Sequence, residues 1–320
     1  MPARPAILVV RFSSLGDVIL TTPLLRTIRR AHPDADVTFV TKRAYAEVLT
    51  ESPYVTRLVT LEPGESVRTL AARLRAPFAW RLDLHGSLRS NALRMLLGGR
   101  WSSYPKRRRM RRRLVTHRAP AGTALPHVAE RYFHAARGLG VTPDGGPPEV
   151  HVSAAAAARA AELAPAGAVV LAPGSRQATK RWPPERWHAL AERLLGKGYR
   201  VIGLGSVGEE RLLDTPGIVP AFGLPLGVAA GVLAAARVAV ANDSGLMHLA
   251  TAVGTPVVAL FGPTVRALGS GPYRAPSTVV ERPLGCRPCS PYGGPVCPLG
   301  HHRCMIEIAA DEVETAVLAA

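Results

Sequence analysis

No stretch of this sequence reaches the roughly 18 to 20 uninterrupted apolar residues that a membrane-spanning helix requires. The longest candidate, residues 226–241, is broken by Arg237. The opening MPARPAILVVRF offers a five-residue apolar run before Arg11 and no small-residue cleavage site, so a secretory signal is not expected and the protein is read as cytoplasmic. Aromatic residues are few, at 5%, and they are not interleaved among the cations as base-stacking surfaces require. No helix-turn-helix or RNA-binding signature is present either, so nucleic acid is not the expected partner. Acidic residues are the main deficit: 23 Asp and Glu stand against 40 Lys and Arg, a formal net charge of +17, and none lies between Asp83 and Glu130. Arg and Lys occur eleven times in that interval, seven of them in KRRRMRRR, residues 106–113. Such a segment sets up a field that attracts polyanions, an anionic membrane surface or a phosphorylated substrate, unless it is simply a solvated basic loop.

What is present is a repeating pattern. The 320 residues suffice for two domains, each with its own core. AILVVRF (6–12) is an apolar run of strand length, and DVILTTPLLRTIRRAHP after it sets Leu20, Leu24, Ile28 and Ala31 on one helical face, with Pro23 expected to distort the second turn. DVTFVT (36–41), VTRLVTL (55–61) and AWRLDL (79–84) read as further buried strands separated by helix-like segments. A composition shift over residues 142–168 reads as a linker and then a helix. GAVVLA, YRVIGL, RVAVA and PVVALF then resume the strand pattern between residues 167 and 261. Strands alternating with helices imply crossover units and parallel sheets. The expected fold class is α/β, with two Rossmann-like parallel-sheet domains, 1–150 and 151–320, facing each other across a cleft.

Ligands of such sheets sit beyond the carboxyl ends of the strands, so the loops there carry the candidate chemistry. SSLGD (13–17) follows the first strand: Ser13 and Ser14 supply hydroxyls, and Asp17, at the start of a helix, suits either a helix cap or a base that takes a proton from an incoming hydroxyl. APGSRQATKRWPPERW (172–187) gathers Ser175, Arg176, Thr179, Lys180 and Arg181, and Lys180 is placed to neutralise a departing diphosphate if the loop is more than basic surface decoration. ANDSGLMH (241–248) puts Asp243, Ser244 and Gly245 where a strand hands over to a helix, whose N-terminal N–H groups suit phosphate oxygens or a sugar; the plainer reading is an N-cap. GLGSVG (203–208) matches the dinucleotide fingerprint but lacks its acidic partner, there being no Asp or Glu between Asp214 and Asp243, so NAD is not expected. Glu209 and Glu210 are better placed to hold ribose hydroxyls. All four cysteines, Cys286, Cys289, Cys297 and Cys304, fall in one C-x2-C-x7-C-x6-C segment. A structural zinc site, with His301 or His302 able to replace one thiol, and reduced free thiols both stay open, and disulfides are disfavoured in a cytoplasmic chain.

RFSSLGDVILTTPLLRTIRRAHPDA, DLHGSLRS, APGSRQATKRWPPERW, NDSGLMHLATAVGTPVVALFGPT and a tail with CxxC and CPLGHHRCM together resemble the heptosyltransferases, glycosyltransferase family 9, over nearly the whole length and in the same order. The resemblance implies a GT-B architecture and inverting, metal-independent transfer of heptose from ADP-heptose to the lipopolysaccharide inner core, either to 3-deoxy-octulosonate or to a preceding heptose. It assigns Asp17 as the base and Lys180 as the diphosphate contact. Ser175, Arg176, Thr179, Glu209, Asp243, Ser244, Gly245 and His248 are assigned to the nucleotide sugar. Residues 1–150 become the acceptor domain and 151–320 the nucleotide-sugar domain. The acceptor carries phosphates and carboxylates in the inner leaflet, which places Ser13, Ser14, Arg89, Arg107, Arg108, Arg109 and His127 at the acceptor side. No cofactor is then required for catalysis, any zinc is structural, and the protein works peripherally at the inner face of the inner membrane. A family member using another nucleotide sugar and a non-enzymatic basic protein that binds nucleic acid or anionic lipid are the competing readings.

Overall fold

The computed structural model describes residues 4–117 and 124–320. Its contacts divide the chain into two compact units, Met1–Lys106 with Val128–His151, and Arg107–His127 with Val152–Ala320. Each unit is built on one sheet, and every strand pair in both sheets is parallel.

The first sheet comprises β1 (Ala6–Val10), β2 (Asp36–Lys42), β3 (Arg57–Leu61), β4 (Trp80–Asp83) and β5 (Ser102–Ser103), in the order β3-β2-β1-β4-β5. Its central strands are continuous apolar runs because helices cover both faces. Leu8, Val10, Phe12, Val40 and Val59 pack with Leu70, Leu74 and Leu93 in one core. The order reverses direction between β1 and β4, so the loops after these two strands diverge and leave room for a ligand between them.

The second sheet comprises β6 (Val169–Ala172), β7 (Val201–Gly205), β8 (Val219–Phe222), β9 (Val238–Asn242), β10 (Val257–Phe261) and β11 (Ser277–Glu281), in the order β11-β10-β9-β6-β7-β8. The reversal here falls between β6 and β9, whose loops are the Lys180 loop and the Asp243 loop. Trp182 and Trp187, both almost fully buried, meet edge to face at 5.0 Å in the core beneath them.

Two local outcomes differ from the sequence expectation. Pro23 does not distort a continuous helix. The segment forms two helices, Leu15–Ile19 and Thr22–Ala31, and Pro23 sits in the first turn of the second, where its missing N–H costs nothing. At the break, the hydroxyls of Thr21 and Thr22 donate back to Val18 O and Ile19 O at 2.7 and 2.8 Å. The basic segment belongs by its contacts to the second unit, not to the first 150 residues. Leu114 of the helix Arg108–Thr116 packs with Leu125, Leu268 and Val265, and Leu125 N donates to Ala267 O. The alanine-rich segment forms the helix Ala154–Leu163, where a Cβ on Gly231 would stand 2.8 Å from that of Ala160, so only glycine permits the approach of the helix Leu226–Ala234. Among the described residues, no helix is long and apolar enough to cross a membrane.

Trp187, fully buried in the second core, gives that core a measurable handle. Trp187→Ala is expected to cost about 3–5 kcal/mol of unfolding free energy, read from urea denaturation; a loss below about 1 kcal/mol would mean that the surrounding side chains collapse into the space.

Candidate active site

In the first unit the site begins with Arg11, which ends the β1 run and is buried there. Its guanidinium donates to Leu84 O, in the loop after β4, and to the Tyr104 hydroxyl, and forms an ion pair of 2.7 Å with Asp17 Oδ2. The same oxygen accepts from Ser14 N at 3.2 Å and Ser14 Oγ at 2.8 Å. Three donors thus converge on Oδ2, whereas Oδ1 has one long contact among the described residues, the Tyr132 hydroxyl at 3.5 Å. Asp17 serves its helix as a cap and keeps 32% of its side-chain surface exposed. The two readings of this residue are therefore compatible. Burial would raise the Asp17 carboxyl, but the Arg11 charge and the hydrogen bonds from Ser14 outweigh it and bring the group down to about 2.

Beside this pair lies His85, after β4, its ring edge-on to Phe12 at 5.4 Å. Burial first, then the charges of Arg11 and Lys106, lower it to about 4, so it is neutral at physiological pH. Arg11, His85, Tyr104 and Tyr132 were not singled out from the sequence. The available signal was an arginine closing an otherwise apolar strand; the tyrosines carry none. Of the residues expected at the acceptor side, Ser14 supports the carboxylate, Ser13 is half-buried, and Arg89 lies exposed on the helix Leu88–Leu97.

In the second unit the loops after β6, β9 and β10 meet at one ion pair. Lys180 Nζ lies 2.6 Å from Asp243 Oδ2, and Thr264 Oγ1 donates to the same oxygen at 2.7 Å. Asn242 ties the loops together, accepting from Trp182 N at 3.1 Å and donating to Pro173 O at 2.7 Å. Ser244 stands at the N-cap of the helix Gly245–Ala252, yet its side chain makes no capping bond. Its Oγ is buried without a hydrogen-bond partner among the described residues. The N-cap reading therefore does not account for Ser244, and the N–H groups of that first turn stay available to an anion. His248 lies buried one turn along.

Glu209 reaches the same strand ends. Its carboxylate accepts from Ser206 N at 2.9 Å, and a Cβ on Gly174 would stand 2.1 Å from it, one on Gly205 2.9 Å. Gly205 of the false dinucleotide fingerprint thus makes room for Glu209, together with Gly174 of the Lys180 loop. Ser175 is buried and its carbonyl accepts from Arg181, while Arg176 is exposed.

Thr179 departs from its expected role as a ligand contact. It is buried, its hydroxyl and N–H bond to Gly294 O at 3.0 and 3.1 Å, and its carbonyl meets His302 Nε2 at 2.8 Å. These bonds lay the cysteine-bearing tail against the Lys180 loop, with Gly293 packed where a Cβ would press on the Lys180 side chain at 3.1 Å. The four cysteines are free thiols. Burial pushes Cys304 up to about 11, and burial with the neighbouring thiols raises Cys289. Among the described residues, no group of three or more His, Cys, Asp or Glu is disposed to hold a metal ion. The four thiols lie within electrostatic reach of one another, and His302 is engaged with the Thr179 carbonyl.

His127 is likewise committed within the second unit, to Gly271 O at 2.9 Å and in a stack on Tyr273 at 4.5 Å. Arg107, Arg108 and Arg109 are exposed and, with Arg112 and Arg113, line an open depression of about 700 Å³ on the basic helix, which touches neither Asp17 nor Lys180. Arg111 turns the other way, donating to Tyr292 and Pro291.

The Arg11–Asp17 pair has a measurable signature. Because the folded carboxyl lies below its ordinary value of about 3.9, the pair stabilises the fold at pH above that value, and the contribution is lost as pH falls toward about 2. In Arg11→Met the midpoint of the Asp17 carboxyl NMR titration is expected to move up by roughly 1 to 3 pH units, and the acid-side loss of stability to begin at correspondingly higher pH. An unmoved midpoint would mean that Ser14 alone holds the carboxylate.

Comparison with known proteins agrees with this architecture. Residues 67–296 match glycosyltransferase family 9 (heptosyltransferase). The chain is 30% identical over 308 residues to lipopolysaccharide heptosyltransferase 1 of Pseudomonas aeruginosa, covering 88% of this chain and 85% of that protein. The structure of the E. coli ADP-heptose lipopolysaccharide heptosyltransferase II superposes with a TM-score of 0.75 at 26% identity, covering 98% of both chains. An E. coli heptosyltransferase solved with ADP-2-deoxy-2-fluoro heptose shares the fold, with a TM-score of 0.72 at 22% identity over 98% of this chain and 99% of that one. A parallel sheet in each unit with an ion-paired carboxylate at each switch point, together with sequence likeness along nearly the whole chain, makes this protein a member of glycosyltransferase family 9, the heptosyltransferases.

Proposed function

We propose that the protein transfers heptose from ADP-heptose to the inner core of lipopolysaccharide, with inversion at the anomeric carbon and without a metal requirement, at the inner face of the inner membrane. The observation that carries the reading is the pair of carboxylates, Asp17 and Asp243, each held by a cation at a switch point, in a chain 30% identical to a lipopolysaccharide heptosyltransferase. The donor and acceptor classes are those of the relatives, the lipopolysaccharide heptosyltransferase of Pseudomonas aeruginosa and the E. coli ADP-heptose lipopolysaccharide heptosyltransferase II.

In the proposed reaction the bond from the anomeric carbon to the diphosphate oxygen breaks as the acceptor oxygen attacks from the opposite face, and the hydroxyl proton passes to Asp17. Oδ1 is the oxygen with capacity to take it, since Oδ2 is occupied by Arg11 and Ser14. A carboxylate this acidic removes no proton from a resting hydroxyl; it accepts one as the acceptor oxygen becomes acidic during bond formation. Negative charge developing on the departing ADP meets Lys180, whose ammonium carries three donors and spends one on Asp243, and the N–H groups at the start of the helix Gly245–Ala252. Ser244 Oγ is a further donor to the nucleotide sugar, and Glu209 suits the ribose hydroxyls. The exposed arginines 107, 108 and 109 bind the phosphates and carboxylates of the acceptor.

With purified protein and truncated lipopolysaccharide acceptors, Asp17→Asn is expected to lower transfer by roughly 10²–10⁴ while ADP-heptose binding by calorimetry persists. Transfer at parental rate would remove Asp17 as the base. Replacing Arg107, Arg108 and Arg109 with Ser should raise the acceptor KM far more than the donor KM. An equal rise in both would mean that these arginines do not read the acceptor.

A further inference from the structure

The helix Leu88–Leu97 has apolar residues on both faces. Inward, Leu93 enters the first core, and Ser90, also buried, donates to Asp83 at 3.0 Å. Outward, Leu88 is 89% exposed, Met95 84% and Leu96 47%. At 100° per residue, Leu88, Ala92, Met95 and Leu96 fall on one face about a quarter-turn wide. Surface leucines occur singly on most proteins, but an almost fully exposed stripe along one helix marks an interaction surface.

The surroundings select the partner. Arg89 and Arg100 are exposed at the two ends of the stripe. Trp101, beyond the helix, is turned toward the first core, donating Nε1–H to Gly98 O at 2.9 Å with Arg94 over its ring. From residue 84 to residue 129 there is no acidic side chain. Pairing with a second copy through this face would set arginine against arginine with no carboxylate of the segment to answer it. An anionic bilayer meets these elements instead: acyl chains take Leu88, Met95 and Leu96, and phosphates take Arg89 and Arg100.

We propose that the outward face of the helix Leu88–Leu97 is the surface by which this protein docks on an anionic phospholipid membrane. The inference rests on the membrane-surface part of the function proposed above and is independent of the sugar chemistry. Side chains of this length enter only the outer part of the acyl region, so binding is peripheral and reversible, with charge attraction and apolar insertion acting together.

The test is co-sedimentation of the full-length protein with phosphatidylethanolamine–phosphatidylglycerol vesicles and with phosphatidylcholine vesicles, at low and high salt, for the parent and for the variant Leu88→Ser/Met95→Ser/Leu96→Ser. The parent should bind the anionic vesicles, more weakly as salt rises, and the variant should bind them at least about tenfold less while its circular dichroism melt and ADP-heptose affinity stay unchanged. A variant that binds anionic vesicles as the parent does would overturn the assignment of this face, while leaving membrane association in place. A parent that binds no anionic vesicle would remove membrane docking itself. A parent that light scattering shows to be a dimer, made monomeric by the variant, would identify the stripe as a self-association surface and overturn the proposal.

Discussion

A carboxylate lifted out of bulk water at the end of a parallel strand stays ionised only if a cation is brought with it, and this requirement organises both units. Arg11 is buried next to Asp17, and Lys180 is set against Asp243. Lys180 and Asp243 arrive from the loops after two different strands, whereas Arg11 and Asp17 both follow β1, and in each unit the divergence of loops at a reversal of strand order leaves the pair room. Removing one partner of such a pair costs more than the pair itself contributes, because a charge is left without compensation. The loops are therefore held as tightly by their chemistry as by the cores beneath them.

The second unit adds a layer of support that comes from the end of the chain. Gly293 and Gly294 lie against the Lys180 loop, Thr179 bonds to both the main chain and the histidine of the tail, and Arg287 donates to the carbonyls of Phe261 and Thr264 while paired with Glu281. Thr264 in turn donates to Asp243. The cysteine-bearing segment thus acts as a wall behind the ion pair, and its glycine at position 293 is required by how closely it approaches. Gly174 and Gly205 play the same part for Glu209 on another side of the loop. The basic helix joins this unit through Leu114 and Arg111 and leaves its other arginines to solvent, while the apolar stripe of the helix Leu88–Leu97 belongs to the first unit.

The central strands of both sheets were legible because burial on both faces demands unbroken apolar runs: AILVV, DVTFVT, VVLA, VAVAN and VVALF all announce themselves. Of the four edge strands, β3 was legible, and β5, β8 and β11 were not, since SS, VPAF and STVVE are short or broken runs that an edge position, with one side free of a neighbour, tolerates. The candidate residues Asp17, Lys180, Asp243, Ser244 and Glu209 could be named because they stand in loops after recognisable strands. Tyr104 and Tyr132 were missed, because they reach Arg11 and Asp17 from about 90 and 115 positions away and no local pattern records that approach. Thr179 and His127 show what the sequence does not record, the hydrogen bonds that polar residues of a suggestive type make inside the fold.

The sequence by itself determined the alternation of strand and helix, the places where strands end in glycine, hydroxyl and carboxylate, the excess of positive charge and the family likeness, because each of these is written in neighbouring residues. Tertiary structure alone decided which cation meets which carboxylate, that one oxygen of Asp17 is saturated and the other open, that Ser244 does not cap its helix, and that the basic segment folds onto the second unit. It also decided which side of the helix Leu88–Leu97 faces outward. These outcomes depend on strand order and on contacts between distant residues, and periodicity along the chain carries no information about either.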